Sequence, residues 1–153
     1  MKLNEILGAD RVVSGGTYTS KKKVLEDLAR LLSKGAPGVD ANDILTSLSS
    51  REKLGSTGLG HGVAIPHGRM GGVEGSVGAF MRLKHPLDYE AHDGLGVDLV
   101  FGLLVPQNAT EAHLKHLAAI AEMFSDEAFC KKLRDAGDDA SLFALLNSFK
   151  PGN

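Results

Sequence analysis

The chain has 153 residues, 42% of them hydrophobic and 24% charged, with 17 basic against 19 acidic side chains and a formal net charge of -2. That length is enough for one domain to bury its own core, and the near-neutral balance supplies no field for gripping a phosphate backbone, which excludes nucleic acid as a partner. The single cysteine, Cys130, excludes an internal disulfide framework and suits a reducing cytosol.

Between Met1 and Asp10 the polar residues Asn4, Glu5 and Asp10 break the apolar stretch that a signal peptide needs. The strongest apolar run, Leu99 to Val105, is too short to span a bilayer. The expectation is a soluble cytoplasmic domain, not membrane-embedded.

Ser20 predicts the cap of a helix from about Lys21 to Lys34, with Val24, Leu25, Leu28, Leu31 and Leu32 as its apolar stripe and Gly35 ending it. A second helix starts at Asp40, turns Ile44, Leu45 and Leu48 inward, and runs out near Lys53. Residues 55–62 hold four glycines in eight positions and predict a freely bending loop rather than helix or strand. A short strand, Val63 to Ile65, leads into Pro66-His67-Gly68-Arg69, and Gly71-Gly72 turns the chain.

Ser76 to Leu83 reads as a strand, His85-Pro86 as a turn, and the apolar Val97 to Val105 as a central strand covered on both faces. Thr110 caps a third helix with the expected stripe Leu114, Leu117, Ala118, Ala121 and Phe124. Asp126 and Asp138 open two more. Helices before, between and after strands predict one α/β domain with a mixed sheet.

The chemistry concentrates in Arg51 to Arg69. A glycine loop suggests phosphate, but Gly60 is followed by His61-Gly62 where the P-loop needs a lysine and a hydroxyl residue, and Gly58 and Gly60 lack the third glycine of the dinucleotide fingerprint. What remains is a set of backbone N–H donors and the hydroxyls of Ser56 and Thr57, flanked by Arg51 and Arg69, beside a histidine whose backbone Pro66 restricts and behind which Gly68 leaves space. A neutral imidazole, with an unperturbed pKa of about 6.5, is a competent nucleophile near neutral pH. Phosphoryl transfer asks a protein chiefly for positioning and for donors to the equatorial oxygens. Ser56, Thr57, Gly68 and Arg69 are therefore the expected phosphate-binding group.

The stretch Arg51-Glu52-Lys53-Leu54-Gly55-Ser56-Thr57-Gly58-Leu59-Gly60, continued by Gly62-Val63-Ala64-Ile65-Pro66-His67-Gly68-Arg69, resembles the signature of the mannitol/fructose-type IIA domains of the bacterial phosphoenolpyruvate-dependent phosphotransferase system. Val97 to Pro106 and His113-Leu114-Lys115-His116-Leu117 agree with it. The Ser20-Lys21-Lys22-Lys23 helix start and the Asp93-Gly94 turn are most similar to the nitrogen-regulatory branch. The resemblance implies a single IIA type-2 domain over 1–153, with a mixed parallel/antiparallel sheet flanked by helices. It implies that His67 accepts a phosphoryl group from a small histidine phosphocarrier protein, that Arg51 and His113 line the site, and that phosphorylation state controls binding of target proteins. The alternative recipient is a IIB component in sugar transport, and a binding module without phosphorylation is a third reading. No cofactor is expected, and a homodimer is left open.

His113 falls in the first turn of the third helix, where the macrodipole disfavours protonation and favours a neutral donor to phosphate oxygens, or where it simply caps the helix. A zinc set of His61, His67 and His113 is the rival chemistry; it lacks a cysteine or a placed carboxylate, so no metal is expected. His61, His85, His92 and His116 receive no role.

Overall fold

Helices begin where a short polar side chain can take up a backbone N–H that has no partner within the helix. In the computed structural model, which describes residues 2–149, Ser20 accepts from the Lys23 N–H at 3.1 Å at the head of α1 (Lys21–Ser33). Asp40 does the same for Asn42 at 2.7 Å and starts α2 (Ala41–Lys53). Thr110, Asp126 and Asp138 stand before α3 (Glu111–Ser125), α4 (Glu127–Asp135) and α5 (Asp139–Ser148). All five helix starts match the sequence expectation. Met1 and residues 150–153 of the expected 1–153 domain lie outside the described residues.

Six strands form one mixed sheet: β1 (Val12–Gly16), β2 (Gly58–Gly60), β3 (Val63–Ala64), β4 (His67–Met70), β5 (Val77–Leu87) and β6 (Val97–Pro106). Their order is β1-β5-β6-β3-β2, with β5 antiparallel to β6, and β3 and β4 both parallel to it. The central strand β6 is buried almost throughout, as its unbroken apolar run demands. Val100 and Leu104 pack in the cluster under α1 and α2, while Leu99, Phe101, Leu103 and Val105 pack with Ile120, Phe129 and Leu142 of α3, α4 and α5. Helices thus cover both faces, and this is the single mixed-sheet domain expected.

One detail of the sheet positions the site. β3 and β4 occupy the same edge of β6 in succession, Val63 opposite Leu99 and His67 opposite Leu103. Pro66, between them, has no N–H to give a ladder, yet its carbonyl accepts from the Leu103 N–H at 3.0 Å. The strand is interrupted rather than ended, and His67 opens its second half.

The structure corrects the sequence expectation in four places. Residues 55–62 carry β2 despite their glycines; Gly60 and Gly62 sit at φ +100° and +84° around His61 at +57°, a backbone turn that only residues tolerant of positive φ complete. His85 and Pro86 lie inside β5, where the register to β6 shifts between Arg82 and Leu87, rather than in a turn. Of the expected α3 stripe, Phe124 is buried and Leu117 and Ala121 pack half-buried against the core, whereas Ala118 is exposed and Leu114 is 45% exposed; Ile120 and Met123 are buried in their place. β1 and β4 have no counterpart in the expected elements.

Candidate functional site

Between α2, β4 and α3 lies a cleft of about 640 Å³. Its walls include His67, Gly68, Arg69, Arg51 and His113, so five of the seven expected site residues meet there. Its apolar walls are Leu103 and Val105 from β6, Leu114 and Leu117 from α3, Met70 from β4, and Leu54 just past α2. Leu54 is 84% exposed at the rim.

His67 is half-buried, and its Nδ1 lies 2.9 Å from the Ile65 carbonyl oxygen. A carbonyl only accepts, so Nδ1 donates, and in the neutral ring Nε2 is left with the free lone pair. Burial pushes the His67 pKa below its ordinary value; the Ile65 carbonyl opposes this, the Arg51 guanidinium reinforces it, and Glu52 opposes it. The net result is a neutral imidazole at neutral pH.

His113 has the opposite arrangement. As the third residue of α3 it accepts the Thr110 backbone N–H on Nδ1 at 3.2 Å, with Thr110 Oγ1 3.1 Å from the same nitrogen. An Nδ1 that accepts from an amide carries no proton, so the ring proton is on Nε2. The helix cap and the presentation of a donor are one arrangement, not alternatives. Arg51, in the last turn of α2, anchors one guanidinium nitrogen on the Gly55 carbonyl at 2.9 Å, which holds the rest of its donor fork at the cleft wall.

Ser56 and Thr57 are not brought to the cleft. Ser56 Oγ donates to the Tyr89 carbonyl at 3.1 Å and accepts from the Gly58 N–H. Thr57 is buried with its hydroxyl on Glu52 and its N–H on the same carboxylate. These hydroxyls are committed to holding the loop, which a glycine-rich stretch does not do by itself. His61 is also outside the cleft, its Nδ1 3.5 Å from Glu127 on the surface. The three histidines of the rival zinc set are therefore not assembled. Among the described residues no group of three or more His, Cys, Asp or Glu is placed to hold a metal ion.

His116 bonds Ser76 through Nδ1 at 2.7 Å and meets His113 edge-on, 6.1 Å between ring centroids; burial and the neighbouring His113 lower its pKa. Polar cleft residues missed by the sequence reading are Asp43, Thr46, Ser47, Ser50 and Gln107. A signal for three of them existed. Asp43, Ser47, Ser50, Arg51 and Leu54 recur at helical spacing, so the face of α2 that presents Arg51 presents them too.

This fold and cleft define a class. The chain belongs to the family described as the phosphoenolpyruvate-dependent sugar phosphotransferase system, EIIA 2, whose model matches residues 5–149, and it is accordingly a phosphotransfer carrier component. It is similar to the nitrogen regulatory protein of Pseudomonas aeruginosa, 41% identical over 152 residues that cover 99% of each chain. Among solved structures it is similar to the nitrogen regulatory protein IIA-Ntr from Neisseria meningitidis, at a TM-score of 0.88 and 41% identity over 94% of this chain and 98% of that one. It shares its fold with the IIA mannitol protein of Escherichia coli, at a TM-score of 0.74 and 23% identity over 91% and 97% of the two chains.

Proposed function

We propose that this chain works as one IIA type-2 domain in the cytoplasm, takes a phosphoryl group onto Nε2 of His67 from a small histidine phosphocarrier protein, and controls a regulatory target through its phosphorylation state. The observation that supports this reading is the opposed tautomers in one cleft: a lone pair on His67 Nε2 and a proton on His113 Nε2.

The step follows from that pairing. His67 Nε2 gives its lone pair to phosphorus as the phosphorus–nitrogen bond to the donor's imidazole breaks, and that bond's electron pair returns to the donor ring. The proton stays on Nδ1, donated to the Ile65 carbonyl, so the His67 ring gains positive charge as the new bond forms. His113 Nε2–H and the guanidinium of Arg51 supply donors to the equatorial oxygens, with Arg69 on the adjoining strand. No metal or nucleotide enters the step. The regulatory role is supported by similarity to nitrogen regulatory proteins; a IIB component as recipient is the competing outcome.

The test mixes the protein with phosphoenolpyruvate, the general phosphotransferase enzyme and each candidate phosphocarrier, and measures intact mass. One added phosphoryl group is expected on the wild type and none on folded His67→Ala. Labelling of His67→Ala at the wild-type rate would overturn the assignment.

A further inference from the structure

A buried charge lies behind the cleft that the transfer step does not use. Glu52 follows Arg51 in α2, but its side chain is 6% exposed and is not among the cleft walls. Its carboxylate collects Lys21 Nζ at 2.8 Å, the Tyr89 hydroxyl at 2.8 Å, the Thr57 N–H at 3.2 Å and the Thr57 hydroxyl. Lys21 also lies 4.4 Å over the Tyr89 ring. Burial pushes the Glu52 carboxyl up, but the donors from Lys21, Thr57 and Tyr89 outweigh it and keep the group ionised.

Two of those donors belong to one residue, and that residue leads to the site. The Thr57 carbonyl accepts from the Ile65 N–H at 3.0 Å, and the Ile65 carbonyl accepts from His67 Nδ1 at 2.9 Å. Resting on the reading of His67 as phosphoryl acceptor, we propose that Glu52 is its positioning residue: through Thr57 and Ile65 it fixes the carbonyl that selects the Nδ1–H tautomer and leaves Nε2 free for phosphorus.

Geometry and charge act in the same direction. A carbonyl free to shift would let the proton exchange between ring nitrogens, and each exchange removes the lone pair from the cleft. When Nε2 bonds phosphorus the ring becomes cationic, and Glu52 favours a cationic His67 where Arg51 opposes it. A carboxylate that orients an imidazole and stabilises its cationic form is a known division of labour between such groups. Here the orientation passes through two backbone units instead of direct contact. An ion pair that merely joined α1 to α2 would make no demand on the Thr57 N–H.

The test reads the ring directly. Long-range proton–nitrogen spectra of 15N-labelled protein, recorded well above the ordinary histidine pKa of about 6.5, are expected to show His67 as a single tautomer protonated on Nδ1. Glu52→Gln keeps the shape and removes the charge. It should move the His67 ring nitrogens toward tautomer-averaged shifts, leave those of His113 in place, and slow single-turnover acceptance roughly tenfold, the scale seen when a metal-ligating histidine loses its outer partner. Glu52→Asp should recover part of both. If Glu52→Gln does not fold, Thr57→Val, which removes the hydroxyl link and keeps the N–H link, should move the same ring shifts by a smaller amount. Unchanged His67 ring shifts in either folded variant would overturn the role of Glu52. The spectra need no phosphoryl donor, so a wild type that accepts no phosphoryl group defeats the acceptor reading separately, and the ring shifts still decide for or against Glu52.

Discussion

Gly68 and Ser47 approach so closely that a Cβ at position 68 would overlap the Ser47 hydroxyl. Glycine is needed there for space: it lets α2 lie on β4, where Ser47 Oγ donates to the Arg69 carbonyl at 2.8 Å. Because α2 carries Arg51, that approach also sets the width of the cleft. Gly68→Ala is expected to destabilise the protein by about 1–3 kcal/mol, the range for overpacking a filled contact. It should also slow phosphoryl acceptance. Adding Ser47→Ala in the same chain removes the hydroxyl and should recover part of both losses. Urea unfolding of the two single variants and the double variant checks this; strictly additive effects would show that the contact does not exclude a side chain.

His113 both caps α3 and presents a donor, and the two roles separate in one substitution. Glutamine at the third helical position can accept the Thr110 N–H as the capping box does, so His113→Gln should keep the stability that His113→Ala loses. Neither variant places an imidazole N–H in the cleft. Both should slow single-turnover transfer by up to about 100- to 1,000-fold, the cost of one donor to developing charge. Transfer at the wild-type rate in His113→Gln would reduce His113 to a cap.

Much of the fold was legible because its signals are local. Ser20, Asp40, Asp126 and Asp138 mark helix starts within a few residues of the N–H groups they bind. β1 and β4 were not legible for the converse reason. Val12–Gly16 contains Ser14-Gly15-Gly16, which resembles a turn, and becomes a strand only through Val12 pairing with Phe80. His67–Met70 contains a glycine and is a strand only because β6, more than thirty residues later, offers an edge. In the site, His67, Arg51 and His113 stood out by residue type and resemblance. The tautomers did not, since they depend on which carbonyl or amide folding brings to each ring. Ser56 and Thr57 were misplaced because hydroxyls in a glycine loop suggest a phosphate, while their actual partners, Tyr89 and Glu52, are set by the packing of distant segments.

The lowered His67 pKa fixes a pH window. Above the ordinary value of about 6.5 the ring is neutral whether the chain is folded or not. Below it, the unfolded chain binds the proton first, so stability falls as pH drops from about 6.5 through the folded-state pKa. Acceptance from a pre-phosphorylated carrier should therefore hold constant down past 6.5 and decline only at lower pH. A nuclear magnetic resonance titration of His67 beside the rate profile checks this; a shared midpoint above 6.5 would contradict burial as the dominant cause.

Leu54 and Leu114 present apolar surface at the cleft rim, 84% and 45% exposed. A carrier that brings its imidazole to His67 must cover this rim, while the reacting atoms never touch it. Leu54→Glu and Leu114→Glu should raise the KM for the phosphorylated carrier about tenfold each, consistent with 1–2 kcal/mol of lost apolar burial, and leave kcat within a few-fold. A fall in kcat with unchanged KM would place the docking face elsewhere.

On the proposed regulatory reading, the same rim would make the cleft a switch. The phosphoryl group itself carries about -1.5 to -2 charges into the cleft, offset in part by the cationic His67 ring, and a target that seals the rim must take that charge out of water. Arg51 and Arg69 meet it only in part, since Arg51 already donates to the Gly55 carbonyl and Arg69 is exposed at the edge. The free form should therefore bind such a target more tightly. The size of the preference limits the regulation: a tenfold difference is about 1.4 kcal/mol, whereas moving a population from 1:99 to 99:1 needs about 10,000-fold. A target captured by the unphosphorylated protein should lose at least about tenfold in affinity when the protein is enzymatically phosphorylated. His67→Glu, which adds one charge on a shorter reach, should show a smaller loss in the same direction. His67→Ala should bind like the wild type, because it changes shape without adding charge. Calorimetry with all four forms makes the comparison. Equal affinity of the phosphorylated and free proteins would defeat the regulatory reading and leave a carrier whose only partners are its phosphoryl donor and recipient.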